Sequence, residues 1–185
     1  MDRYYAFVKV FAAVTAIALL TASPVAAEEV IGWRTIVGII QPGNIVGSFA
    51  TPPTCPTNGQ GCINGGGQPW TTIPLAAPQV TVDLATGQLK FGVRGLVLAG
   101  GNQIGTPPSQ IGTVVGTIMC IVAPPGANLI INTGPVALNR NGDATFSGSI
   151  GAIPTTCNAS NILFLIQTSP TGNWIANGAS RIRVR

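Results

Sequence analysis

Histidine is missing from all 185 residues, and charged side chains make up only 8% of the chain, against about 25% in an ordinary globular domain. Without imidazole there is no Ser–His or Cys–His nucleophile pair, because each needs a general base beside the nucleophile. The usual His-containing zinc sites are excluded as well. Neither a G-x-S-x-G elbow nor a G-x-x-x-x-G-K-[ST] phosphate loop is present.

Carboxylates are equally scarce. Beyond residue 27 only Glu28, Glu29, Asp83 and Asp143 remain, and just the last two lie inside the body of the chain. A carboxylate-dependent hydrolase needs two such groups, so Asp83 and Asp143 are the one pair on which an enzyme of that kind would rest. Each adjoins turn residues, where aspartate commonly accepts local backbone N–H bonds. That is the role expected of them, and no catalytic centre is predicted. The segment Asn139-Arg140-Asn141-Gly142-Asp143 has the outline of a calcium loop. One carboxylate and an inserted arginine fall short of six to eight oxygen ligands, so it reads as a hairpin turn. No metal or cofactor is expected.

Aromatic residues are sparse too, and both tyrosines fall within the first five residues. Single-strand nucleic-acid binders rely on exposed aromatic platforms, and no nucleic-acid partner is expected here. Trp33 and Trp174 lie in strand-like segments, leaving Trp70 as the one tryptophan in a loop.

What the chain does have is 24 Gly, 15 Pro and a 46% hydrophobic fraction with a mean hydropathy of +0.44. Strands joined by Gly/Pro turns account for all three. The first 27 residues read as a secretory leader. Arg3 and Lys9 precede an apolar run over 10–20, and Val25 and Ala27 supply small residues at −3 and −1. Cleavage is predicted between Ala27 and Glu28, with an uncleaved anchor as the alternative. The apolar run is short for a membrane span of about 20 residues. Contact with a membrane is expected only through this leader before cleavage.

All four cysteines lie beyond the leader, as expected of a disulfide framework in an exported chain. Cys55 and Cys62 flank a short Pro/Gly loop and are expected to pair, which leaves Cys120 with Cys157. The second bridge joins a strand end to a distant loop.

Residues 89–96 alternate apolar and polar, the period of a half-buried strand. Further strand patterns cover 30–40, 45–49, 80–83, 111–122, 129–132, 136–138, 144–150, 162–168 and 174–184. The 45–49 run reads as a hairpin partner of 30–40, and Asn177-Gly178 as a bulge. The apolar run at 162–168 reads as a central strand buried on both faces. No three-turn amphipathic helix is visible past residue 27. The predicted fold is all-β: one antiparallel β-sandwich, Ig-like or jelly-roll-like, of about 8–10 strands over 28–185 after the leader helix. A parallel β-helix is the alternative.

Residues 51–79 form a long Pro/Gly-rich loop, the first candidate for a ligand surface. Trp70, Asn64 and Gln68 are its expected contact residues. The C-terminal Arg181, Arg183 and Arg185 offer a contact to an anionic surface. The plainer reading makes them the solvent face of a last strand whose Ile182 and Val184 point inward. Asn158-Ala159-Ser160 is a glycosylation sequon. The function expected is a secreted or cell-envelope structural or binding module, its partner an envelope polymer or another secreted protein. A strand-exchanging assembly subunit is the alternative, with 162–166 or the last strand as donor. The hydrolase resting on Asp83 and Asp143 comes third.

Overall fold

The computed structural model describes residues 29–40, 43–48, 55, 61–105, 112–122, 128–168 and 172–184. The leader and Arg185 lie outside them. The strands are β1 (Val30–Gly38), β2 (Ile45–Val46), β3 (Ile63–Asn64), β4 (Trp70–Thr71), β5 (Val80–Asp83), β6 (Gln88–Val93) and β7 (Val97–Leu98). They continue with β8 (Thr113–Cys120), β9 (Leu129–Asn132), β10 (Val136–Ala137), β11 (Ala144–Ser149), β12 (Ile162–Thr168) and β13 (Trp174–Val184). The one helical element among the described residues is a 3₁₀ turn at Gly101–Gln103.

The chain is thus all-β, and every strand ladder is antiparallel. That rules out the parallel β-helix. The layering differs from a sandwich of two separately bonded sheets. Nine strands form one sheet in the order β10-β8-β12-β13-β1-β5-β6-β11, with β9 also on β8. In a flat sheet β6 and β12, four strand positions apart, would be separated by about 19 Å. Yet the rings of Phe91 on β6 and Phe164 on β12 lie 5.4 Å apart. Phe91 also occupies the space where a Cβ on Gly116 of β8 would stand. The sheet therefore curls into a half-barrel around its own core, which includes Trp33, Leu89, Ile118, Phe164 and Ile166.

The run at 162–168 is central as expected, since β12 is paired on both sides and buried on both faces. The same pairing places both proposed donor strands inside the sheet, β12 between β8 and β13, and β13 between β12 and β1. Neither is an edge available for exchange.

Three local expectations shift. β2 pairs with β3 and not with β1. The turn at residues 139–143 forms, with Asn139 N–H bonded to the Asp143 carbonyl at 3.0 Å. Its flanks β10 and β11 nevertheless pair with β8 and β6 instead of each other. This turn links the two edges of the curled sheet. The bulge on β13 lies at Ile175, where the register against β12 slips, and not at Asn177-Gly178.

Arg181 and Arg183 are exposed, as expected, and Ile182 and Val184 are half-buried, although the two arginines share a face with core residues of β1. Arg181 and Arg183 lie directly across from Trp33 and Ile31, 2% and 1% exposed, and cross-strand partners share a face. Ile182 and Val184 point the other way, over Gly32. The cause is a change of phase in both strands. Burial on β1 moves from Ile31 and Trp33 to Ile36, and opposite Arg34 the backbone of Ser180 takes a φ of 55°.

Both expected disulfides form, Cys55–Cys62 and Cys120–Cys157. The second ties the end of β8 to the loop before β12, and both its cysteines are buried.

Candidate functional site

Residues 61–79 are built into the body and do not form a free loop. Gly38 makes this possible, because a Cβ there would collide with the Trp70 backbone. Trp70 N–H donates to the Ile39 carbonyl at 2.8 Å, and β4 pairs with β7. Trp70 is consequently buried, 7% exposed, and belongs to the core. As a ligand platform it is corrected. Asn64 and Gln68 are exposed, while Trp70 is turned into the core.

The same segment closes one side of the molecule. Gly66 N–H bonds the Trp174 carbonyl at 2.8 Å, and Trp174 Nε1 donates to the Asn44 carbonyl at 2.9 Å. Asn128, 7% exposed, clamps this cap to the sheet. Its Nδ2 donates to the carbonyls of Gly47 at 2.8 Å and Gly61 at 2.5 Å, and its Oδ1 accepts Val122 N–H at 2.8 Å. No motif marks Asn128 in the sequence.

The other side stays open. After β4 the chain crosses toward β6, where Ile73 N–H bonds the Arg94 carbonyl at 2.8 Å, and passes Leu75 and Pro78 before entering β5. Gln79 extends the contact of β5 with β1 by side chain: its Oε1 accepts Ile36 N–H at 2.5 Å, and its own N–H donates to the Trp33 carbonyl at 3.0 Å. Between this crossing and the outer face of β6 lies a depression of about 310 Å³ lined by Pro78, Gln79, Thr81, Lys90, Phe91 and Gly92.

Its floor is Gly92. A Cβ placed there would meet only Leu75 Cδ1 at 3.8 Å and Thr145 Cγ2 at 3.9 Å within 4 Å. The hollow therefore exists because residue 92 has no side chain. Thr81, Lys90 and Ser147 stand in one row across β5, β6 and β11, on the face opposite the buried Leu89 and Phe91. Lys90 and Ser147 are exposed. Of the five exposed large hydrophobics among the described residues, Ile73 and Leu75, 53% and 36% exposed, belong to the segment crossing this face. A cation and the Thr81 hydroxyl thus line one small hollow, with Ser147 next to Lys90 in the row and Leu75 beside the floor. The alternation of 89–96 marks the outer face of β6, but nothing local marks Gly92 as a floor.

Asp83 and Asp143 are not brought together. Asp83 Oδ1 accepts Ala85 N–H at 2.8 Å and Thr86 N–H at 3.2 Å, and Oδ2 accepts the Thr86 hydroxyl at 2.5 Å. Asp143 Oδ1 accepts Gly95 N–H at 2.9 Å, with Asn139 Nδ2 at 3.2 Å from Oδ2. That Gly95 bond, then Asn139 and nearby Arg94, hold the Asp143 carboxyl below its ordinary 3.8 against a small opposing effect of burial. The Asp83 turn leads into Gln88, while Asp143 precedes Ala144, which pairs with Val93. The two carboxylates thus sit at opposite ends of β6, a strand about 17 Å long.

Arg181 donates to the Ile162 carbonyl and lies 6.0 Å from the Trp33 ring centroid. Arg183 is exposed, and Arg185 lies outside the described residues. Asn158 is exposed, and its Oδ1 accepts Ser160 N–H at 2.9 Å. Compared with known protein families, curated proteins and solved structures, the chain matches none.

Proposed function

We propose that this chain is an exported, non-enzymatic binding module of the cell envelope or extracellular space. The observation that carries the reading is the open hollow over Gly92, lined by Lys90 and Thr81, with Ser147 next to Lys90 on β11 and the exposed Leu75 beside the floor. Polar groups gathered at a small concavity are the usual form of a ligand site. Two intramolecular disulfides and the leader pattern favour an oxidising compartment. The non-catalytic half of the reading draws support from Asp83 and Asp143, each committed to backbone N–H groups at its own end of β6. The test is retention of the oxidised protein on the envelope fraction of its own host, compared between wild type and Gly92→Val. Retention by wild type and its loss in the variant are expected; equal retention would remove the hollow from the reading.

A second reading, a subunit that accepts a strand, rests on β11. Among the described residues its outer edge pairs with no strand, and its sequence, ATFSGS, has no Lys, Arg or Pro to discourage edge pairing. Ser147→Pro would leave the protein monomeric under that reading, where wild type assembles. A wild type that is monomeric at every concentration tested would remove it.

A further inference from the structure

Resting on the binding-module reading, we infer that the hollow over Gly92 takes one acidic sugar residue of an extended polysaccharide. Its size comes first. At about 310 Å³ it stands at the lower end of the roughly 300–1,000 Å³ typical of ligand pockets, enough for one ring and not for a large ligand.

The chemistry narrows the class. Lys90 is exposed at the centre of its row, with Thr81 on one side and Ser147 on the other. Lys90 and Thr81 line the hollow, and an ammonium beside a hydroxyl suits a carboxylate-bearing, hydroxyl-rich group, the ammonium taking the charge and the hydroxyl exchanging hydrogen bonds. The remaining lining is Pro78 at the wall, Gly92 as the floor, Gln79, whose Oε1 is already held by Ile36 N–H, and Phe91, whose ring is turned toward Phe164 in the core. Leu75 stands beside the floor. That surface accepts the C–H face of a saccharide ring without an aromatic platform, which Trp70 cannot supply because it is buried. The hollow is open and shallow, so a single residue binds weakly. A polymer that presents the same residue repeatedly gains by re-engagement along its length. Arg94, exposed just past the end of β6 and four residues beyond Lys90, lies about 13 Å further along an extended chain and meets a later charge of the same polymer.

The experiment is affinity electrophoresis of the oxidised protein through gels containing polygalacturonate, dextran or poly-glutamate. Retardation by polygalacturonate and none by dextran is expected. Lys90→Gln should weaken that retardation about tenfold, the loss of one charge-assisted contact. Gly92→Val should abolish it. Residue 92 needs no left-handed backbone and a Cβ there meets no clash, so that variant should keep the wild-type melting curve. Arg34→Gln, which removes an exposed cation elsewhere, should leave binding unchanged. Equal loss in Arg34→Gln and Lys90→Gln would overturn the inference in favour of diffuse charge attraction. Retardation by poly-glutamate as strong as by polygalacturonate would overturn it in favour of an acidic peptide. If envelope retention depends on Gly92 while polygalacturonate does not bind, the sugar assignment fails and the binding-module reading stands. If neither binds, both fail.

Discussion

The two sides of the curled sheet are made from the same chain and treat water in opposite ways. On β12 both faces are buried, with Phe164 1% and Leu165 2% exposed, and the neighbouring Met119 on β8 lies against Gly47 of the cap. On β6 only one face is buried: Leu89, Phe91 and Val93 point inward, while Lys90 and Gly92 face out. A strand covered twice reads as a continuous apolar run, and one covered once reads as an alternation. The covered side therefore carries stability and the open side is free to carry recognition.

Four substitutions break or sharpen that contrast. Cys120→Ser on the covered side opens a bridge of sequence separation 37 and should cost about 3–4 kcal/mol by loop-closure entropy, read from denaturant unfolding. A midpoint equal to wild type would show that the bridge adds nothing to the core. Asn128→Ala should cost about 2–3 kcal/mol, because it leaves the Gly47 and Gly61 carbonyls and the Val122 N–H without their shared partner. Hydrogen exchange should then quicken in the cap at residues 43–48 and 61–66 and stay slow in β6. Uniform quickening would mean that cap and sheet open together.

Asp143→Asn gives a smaller effect with a pH signature. The folded carboxyl titrates below its ordinary 3.8, so its stabilisation is fully present above that value and is lost as pH falls through the folded pKa. The variant should melt below wild type at pH 7, and the gap should close in acid below about pH 4. A gap that is constant with pH would assign the effect to shape and not to charge. Gly92→Val should change stability least, within about 0.5 kcal/mol, while removing the binding expected of the hollow. A large loss of stability there would mean that the open side is part of the core after all.

Much of the frame was legible beforehand. The alternation at 89–96, the apolar run at 162–168 and the spacing of four cysteines announce an antiparallel, disulfide-bonded β-protein. The cap was not, because Asn128 acts on carbonyls 81 and 67 residues away and no local pattern records so distant a pairing. Trp70 read as a loop residue for the same reason: its burial depends on close approach to Gly38. Arg181 and Arg183 are exposed as alternation requires, but that they share a face with Trp33 and Ile31 is not legible locally, because a positive φ at Ser180 coincides with a change of phase. The hollow has no local signature, because a glycine in a strand signals nothing until its neighbours are known.

The amino-acid order by itself determined the strand class, the pairing of the cysteines and the poverty of ionisable groups, since these follow from short-range periodicity and composition. Only the tertiary structure decided that the strands close into one curled sheet, which face of it is sealed, and where it is left open. Those outcomes depend on backbone groups and ring contacts that meet across dozens of residues, and local pattern carries no trace of such distances.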